Sequence, residues 1–238
     1  MRSQLRGDRY SMAEAHVALV RHGDYHQLAG VPSARQPFAL TSKGIAQARA
    51  GGQALGRMID ERGLRLSPVI HSSRQLRAWQ TAAEIAERLA ALGHAVERIA
   101  ETSDLAERGL GSAANLTVAE IEAALRDDPR YDVPPAGWKA DSDYRLPLEG
   151  AESLMEAGER VARHLQATAE PRFLTVHVGH GASFRHACHH LCLLSRDDIA
   201  RYSMYHGEPV LFCHGPHDRW LHLAGDWKVR APKEDPID

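Results

Sequence analysis

The feature that most constrains this chain is a set of short, almost wholly apolar runs that alternate with helix-patterned segments. "HVALV" (16–20), "SPVIHSS" (67–73) and "FLTVHV" (173–178) each stop abruptly at polar residues. Such runs read as strands buried on both faces rather than half-exposed ones. Between them, "LTSKGIAQARAGGQALGRMIDERG" carries Ile45, Ala48, Gly52, Leu55 and Ile59 at alternating three and four spacing, with Thr41 or Ser42 as N-cap and Gly63 as stop. "RAWQTAAEIAERLAAL" reads as a second helix and "HAVERI" as a third strand. Strand, helix, strand, helix, strand predicts an α/β fold: a three-layer αβα sandwich around a mostly parallel sheet with right-handed crossovers.

The middle of the chain departs from this pattern. After a loop and a helix predicted from Thr117 to Arg126 comes "DDPRYDVPPAGWKADSDYRLPLEGAES", rich in proline, aspartate and aromatic residues. It reads as an ordered insertion, about 108–150, of the kind that covers a site as a lid and sets specificity. A helix with Leu154, Gly158, Val161 and Leu165 on one face follows, then the "FLTVHV" strand, an apolar helix and two last strands, "EPVLFCHG" and "RWLHLAG". One domain is expected over 16–230, flanked by a polar N-terminal tail (1–15) and a C-terminal tail (231–238).

Composition narrows the function classes. A formal net charge of −2 over 238 residues supplies no global basic field, which argues against nucleic-acid and membrane-surface partners and leaves any anion to be captured locally. Three cysteines, Cys188, Cys192 and Cys213, make no disulfide framework; Cys188 and Cys192 read as one face of an apolar helix. With no apolar stretch at the start and no window of membrane-spanning length, a cytoplasmic protein is expected.

In an open α/β sheet the ligand lies beyond the carboxyl ends of the strands. Collecting residues there gives Arg21 and His22; then His71, Ser72 and Ser73 with Arg77 one turn into the next helix; then His180 and Gly181. Two guanidiniums converging on one point suit phosphate, because each gives charge-assisted hydrogen bonds and neither loses its charge. A histidine with a free ring nitrogen aimed at phosphorus is a nucleophile, and a second histidine can donate to the oxygens as charge builds.

"LVRHGD", "HSSRQLRAWQTA", "LAERG" and "VGHG", in this order, resemble the motifs of the histidine phosphatase superfamily, also called phosphoglycerate mutase-like proteins, over about residues 16 to 225. The resemblance implies that fold, and His22 as the phosphorylated nucleophile. It further implies Arg21, Arg77 and His180 as the rest of the phosphate pocket, and Glu107 as proton donor to the leaving oxygen, with Asp24, Glu149 and Glu152 as substitutes. Gly23 and Gly181 are expected to let backbone approach the anion. The family often has a proline where this chain has Arg74, which makes Arg74 a candidate substrate contact beside Asp24, Arg108 and Lys139. Arg35 and Arg145 fall in loops over the pocket, and Trp138, Tyr131 and Tyr144 pack the insertion or stack on a leaving group.

"RHGDYHQ" lacks the Glu-Ser-x-Trp-Asn run typical of the glycolytic mutases and looks more like the mutase-like protein phosphatases and a small bacterial phosphohistidine phosphatase. Hydrolysis of a phosphomonoester, metal-independent and on a small phosphorylated substrate, is therefore favoured, with a homodimer as the assembly in view. The alternatives are a phosphoprotein substrate, mutase-type transfer, and a catalytically silent phosphate- or partner-binding domain. Among the fifteen histidines, His186 and His190 stand four apart on a helix beside Cys188 and His189, a spacing that can chelate zinc, but no third ligand is evident. No cofactor and no metal are expected; His177 is expected to be structural.

Overall fold

The computed structural model describes residues 14–32 and 35–230, so the two expected tails lie outside the described residues, apart from Glu14 and Ala15. In chain order the elements are β1 (Ala15–Arg21), α1 (Ser42–Arg62), β2 (Leu66–Ser73), α2 (Leu76–Ala91), β3 (Arg98–Thr102), α3 (Val118–Asp127) and α4 (Leu154–Thr168). There follow β4 (Leu174–Gly179), α5 (Gly181–His190), α6 (Arg196–Arg201), β5 (Tyr202–Ser203), β6 (Pro209–Gly215), β7 (Arg219–Ala224) and β8 (Lys228–Val229). Six strands form the central sheet in the order β3-β2-β4-β1-β6-β7, and β5 pairs with β8 apart from it.

β3, β2, β4 and β1 run parallel, while on the β1 side β6 pairs antiparallel to β1 and β7 antiparallel to β6. The expected three layers are present. Alternate residues of the central strands face two different cores. Ala18, Val20, Ile70, Val176 and Val178 pack under α1 and α2, whereas Val17, Leu19 and Phe212 pack under α4 and α5. This is why the strands read as continuous apolar runs. None of the helices among the described residues is long and apolar enough to cross a membrane.

Local chemistry sets the helix ends. The Thr41 hydroxyl accepts from the Gly44 amide at 3.0 Å, and Gly63 closes α1 in the left-handed conformation at φ 61°. Ser153 and Glu156 form a reciprocal capping box on α4, as Thr117 and Glu120 do on α3. The third strand is displaced from its expected position at 94–99: Gly93 takes φ 90°, Glu97 N donates to Pro68 O, and pairing begins only where Val69 meets Arg98. Cys192 is also misplaced by the helical reading. α5 stops at His190, Cys192 adopts φ 58° and is exposed, and Leu193 and Leu194 both donate to Cys188 O to close the helix.

The insertion is ordered around its own apolar cluster, in which Trp138 packs with Leu110, Ile121, Leu125 and Leu146. Its two ends are clamped together: Leu110 bridges Ala151, Glu152 N donates to Gly109 O, and Gly109 N donates to Glu152 Oε1. Arg160 of α4 grips the same carboxylate at 2.5 Å. The neck of the insertion is thus fixed one residue beyond Arg108.

The turn after β1 is pressed against the start of α1. A Cβ on Gly23 would lie 2.4 Å from Gly44 O, and one on Gly44 only 1.9 Å from Asp24 O. Gly44→Ala is therefore expected to push the 21–24 turn off α1 and destabilise the fold by about 1–3 kcal/mol. In a domain of this size that corresponds to a fall in Tm of roughly 2–12 °C, to be read by calorimetry.

Candidate active site

β1 and β4 end side by side, with Arg21 opposite Gly179, so Arg21, His22 and His180 leave neighbouring strands at the same edge. Arg77 arrives from the first turn of α2, where side chains lean back toward the helix N-terminus and hence toward that edge. His22, Arg77 and His180 are buried at 3%, 0% and 1% exposure, a depth polar side chains reach only when partnered.

The partners define the protonation of both imidazoles. Arg77 is donor only, so its Nε–H, 3.1 Å from His22 Nε2, requires a lone pair on that nitrogen. His22 Nδ1, 2.8 Å from Gly23 O, then carries the proton. In His180 the roles of the nitrogens are reversed: Nδ1 accepts from Arg77 Nη2 at 3.3 Å, and Nε2–H donates to Ser73 Oγ at 2.9 Å. Arg77 also donates to Gln36 O and lies over the Tyr25 ring, 4.6 Å from its centroid. Burial, then Arg77, His180, Arg21 and His206, hold His22 well below the ordinary histidine value; burial, then Arg77, Arg21 and Arg160, do the same to His180. Burial also lowers Arg77, to about 10, so an anion bound here would restore the solvation its charge has lost.

Arg21 donates to Met204 O at 3.1 Å, and its side chain lies against Gly181, whose Cβ would come 3.1 Å from Arg21 Cδ. Gly181 thus makes room for Arg21, while Gly23 makes room for α1. Gly23 N donates to Thr81 Oγ1 at 3.0 Å, and Thr81 Oγ1 donates to Arg77 O, so the "AWQTA" segment ties the arginine to the histidine turn.

Glu107 is buried beside the N-terminus of α5. Its Oε1 accepts from Arg108 N at 2.9 Å and Ser183 N at 3.1 Å, and its Oε2 accepts from Ala182 N at 3.3 Å. The named substitutes are engaged elsewhere: Asp24 accepts from the Thr41 hydroxyl at 2.8 Å, Glu152 holds Arg160, and Glu149 is exposed on the insertion. Asp24 thereby holds the hydroxyl of Thr41, the residue that caps α1. Arg74 and Arg35 line a cleft with Ser73, whereas Arg145 pairs with Glu156 on the surface. Arg108 and Lys139 line a different cavity, with Ala182, Arg185 and Arg230. Trp138 is core of the insertion, with Arg108 5.7 Å from its ring centroid and Tyr131 and Tyr144 packed on the same cluster.

The helical histidines do not converge on a metal. His186 bonds Ala182 O and Ser142, His189 bonds Leu194 O, His190 bonds Met155 O, and the Cys188 thiol is buried and pushed up by desolvation.

His206 was not anticipated. Its Nδ1 lies 2.6 Å from His22 O, and its ring centroid is 5.5 Å from that of His22; Gly207 N donates to Arg21 O. Collecting residues after each strand misses it, because β6 is antiparallel and delivers the residues before it to this edge, Val20 facing Pro209. Recognising "EPVLFCHG" and "RWLHLAG" as a hairpin supplies the signal.

Burial lowers His22 and His180, and lowers His186 to about 3. Below about pH 6.5 the unfolded chain binds protons that these folded imidazoles refuse, so their contribution to stability is complete above that pH and is lost as pH falls. The unfolding free energy from denaturant titrations should therefore drop between pH 6.5 and 5 by up to ~1.4 kcal/mol per pH unit for each group, and by much less between pH 8.5 and 7.

Residues 17–225 match the family described as the histidine phosphatase superfamily (branch 1). The chain is 29% identical to a 2,3-bisphosphoglycerate-dependent phosphoglycerate mutase of Corynebacterium jeikeium, over 95% of this chain and 91% of that protein. It is 27% identical to the enzyme of that name from Parvibaculum lavamentivorans, over 82% and 89%. In fold it resembles a mycobacterial glucosyl-3-phosphoglycerate phosphatase (TM-score 0.62, 24% identity, covering 91% of this chain and all of that one). It also resembles a phosphoserine phosphatase from Entamoeba histolytica (TM-score 0.63, 18% identity, 92% and 98%). With the family's motifs and the match across most of its length, the chain belongs to the histidine phosphatase superfamily.

Proposed function

We propose that this protein hydrolyses phosphomonoesters through a phosphohistidine on His22, without a metal, and that its substrate is a small phosphorylated metabolite. The observation that carries the reading is the buried His22 imidazole, neutral, with its lone pair on Nε2 and Arg77 donating to that atom. Phosphate entering between Arg21, Arg77 and His180 takes over the Arg77 donors and meets the nucleophile in line. The N-terminus of α5 adds its positive end to the pocket.

Nε2 forms the bond to phosphorus while the ester P–O bond breaks, and Glu107 supplies the proton to the departing alkoxide. Water then gives its proton to Glu107 as its oxygen bonds to phosphorus. The N–P bond breaks, and His22 recovers its lone pair as phosphate leaves. Arg108 and Lys139, lining a cavity beside the N-terminal turn of α5 that holds Glu107, favour a substrate with a second anionic group. The hydrolytic outcome is supported by Asp24 and Tyr25, which stand where the glycolytic mutases have a different run; Asp24 is spent on Thr41 and Tyr25 packs on Arg77.

Phosphate release from p-nitrophenyl phosphate and a panel of alkyl phosphates, in EDTA, tests this. Wild type should turn over, and His22→Ala should not while remaining folded. The mutase-named relatives favour a second reading, phosphoryl return to a bound substrate. Interconversion of phosphoglycerates that needs a bisphosphorylated primer and releases no phosphate would establish it; no turnover of any kind would leave a binding domain. Glu107→Gln should slow alkyl esters by about 10²–10⁴-fold but p-nitrophenyl phosphate far less, because nitrophenolate leaves without a proton.

A further inference from the structure

A second histidine cluster joins β2, β4 and α4. β2 and β4 are neighbours, and His71 stands directly opposite His177 in their register. Their rings stack at 5.0 Å, and His164 of α4 presents its edge to both, at 5.2 and 5.7 Å. One ligand nitrogen from each of the three lies within 4.8 Å of the others.

Hydrogen bonding leaves two lone pairs unused. The Thr168 hydroxyl donates to His164 O at 2.7 Å, so it can only accept from His177 Nε2–H at 2.8 Å. The lone pair then falls on His177 Nδ1, on a residue with 0% exposure, which has no hydrogen-bond partner among the described residues; the Thr175 backbone lies beside the same ring. His164 Nδ1 faces Asp104 Oδ2 at 3.5 Å, and its Nε2 is likewise buried with no partner among the described residues. Orphaned buried nitrogens are costly, and a core that needed only packing gains nothing from them.

We propose that His71, His164 and His177 bind a divalent transition metal, with Zn²⁺ the ion best suited to three imidazoles and water in the fourth position. Tetrahedral Zn–N bonds of about 2.0–2.1 Å place ligand nitrogens about 3.4 Å apart, so a short inward rotation of the half-buried His71 and His164 closes the site. Thr168 on His177 and Asp104 on His164 are the outer partners that orient metal-bound imidazoles. His71 and His164 are only partly buried, the His164 side chain keeping 11% of its surface exposed, and this gives the ion a way in. Arg98 opposes a cation beside His71, and Asp104 offsets it. The metal joins β2, β4 and α4, and takes no part in the phosphoryl chemistry.

Untagged protein stripped with a chelator and dialysed is titrated with Co²⁺, then Zn²⁺. One equivalent of Co²⁺ should give the visible absorption of a four-coordinate site, Zn²⁺ should abolish it, and Zn²⁺ should raise Tm. His71→Gln and His164→Gln, at half-buried positions that tolerate the change better than His177, should each weaken binding by more than 100-fold and remove the Tm rise. Asp104→Asn should weaken it by about 10-fold. The proposal fails if wild type shows no such spectrum or if both glutamine variants bind as wild type does. It also fails if binding is lost only in His16→Gln, which would place the ion at the Glu14, His16, Cys213 group instead.

Discussion

The contact between the Arg77 guanidinium and the lone pair of His22 is the constraint on which the rest of the site depends. It puts a buried cation against a buried neutral base, and it survives only because every neighbour accepts that arrangement. Gly23 O holds the proton on His22 Nδ1, and His180 turns its own lone pair toward Arg77 while Ser73 takes its proton. Gln36 O and the Tyr25 ring take up the rest of the guanidinium. Burial depresses both the imidazole and the arginine, and an oxyanion is the ligand that relieves the second while leaving the first nucleophilic.

This geometry needs three parts of the chain at one edge, and the fold brings them there by different routes. The parallel strands β1 and β4 end together, α2 starts at that edge, and the antiparallel β6 begins there, so His206 and Met204 brace Arg21 and His22 from the far side. Close backbone packing at Gly23 and Gly44 and the Thr81 bond set the height of the turn. The insertion, closed at its neck, brings Arg108 to Glu107's side without joining the main cores.

Much of this was readable from residues alone. The alternation of apolar runs and amphipathic helices was enough for the layers, Thr41 and Gly63 for the ends of α1, and strand-end collection for Arg21, His22, Arg77 and His180. What escaped depends on pairing across long stretches of chain. The start of β3 is set by its register on β2, and Cys192 by a C-cap that only the packed helix needs. His206 depends on the antiparallel sense of β6. The contact between His71 and His177 depends on a pairing across more than a hundred residues, and local pattern carries no trace of it. Gly23 and Gly181 are legible as sites of close approach, and the packing adds α1 and the Arg21 side chain as neighbours that need the room.

Rapid-quench trapping of the phosphoenzyme puts the central claim to its most direct test. Mixed with an excess of a turned-over phosphomonoester and quenched in base, the enzyme should carry close to one phosphoryl group per chain as an acid-labile phosphoramidate. Peptide mapping should place it on His22, and it should decay no more slowly than the steady-state rate. Turnover with no trapped phosphoryl group, or a label on any residue other than His22, would contradict the mechanism.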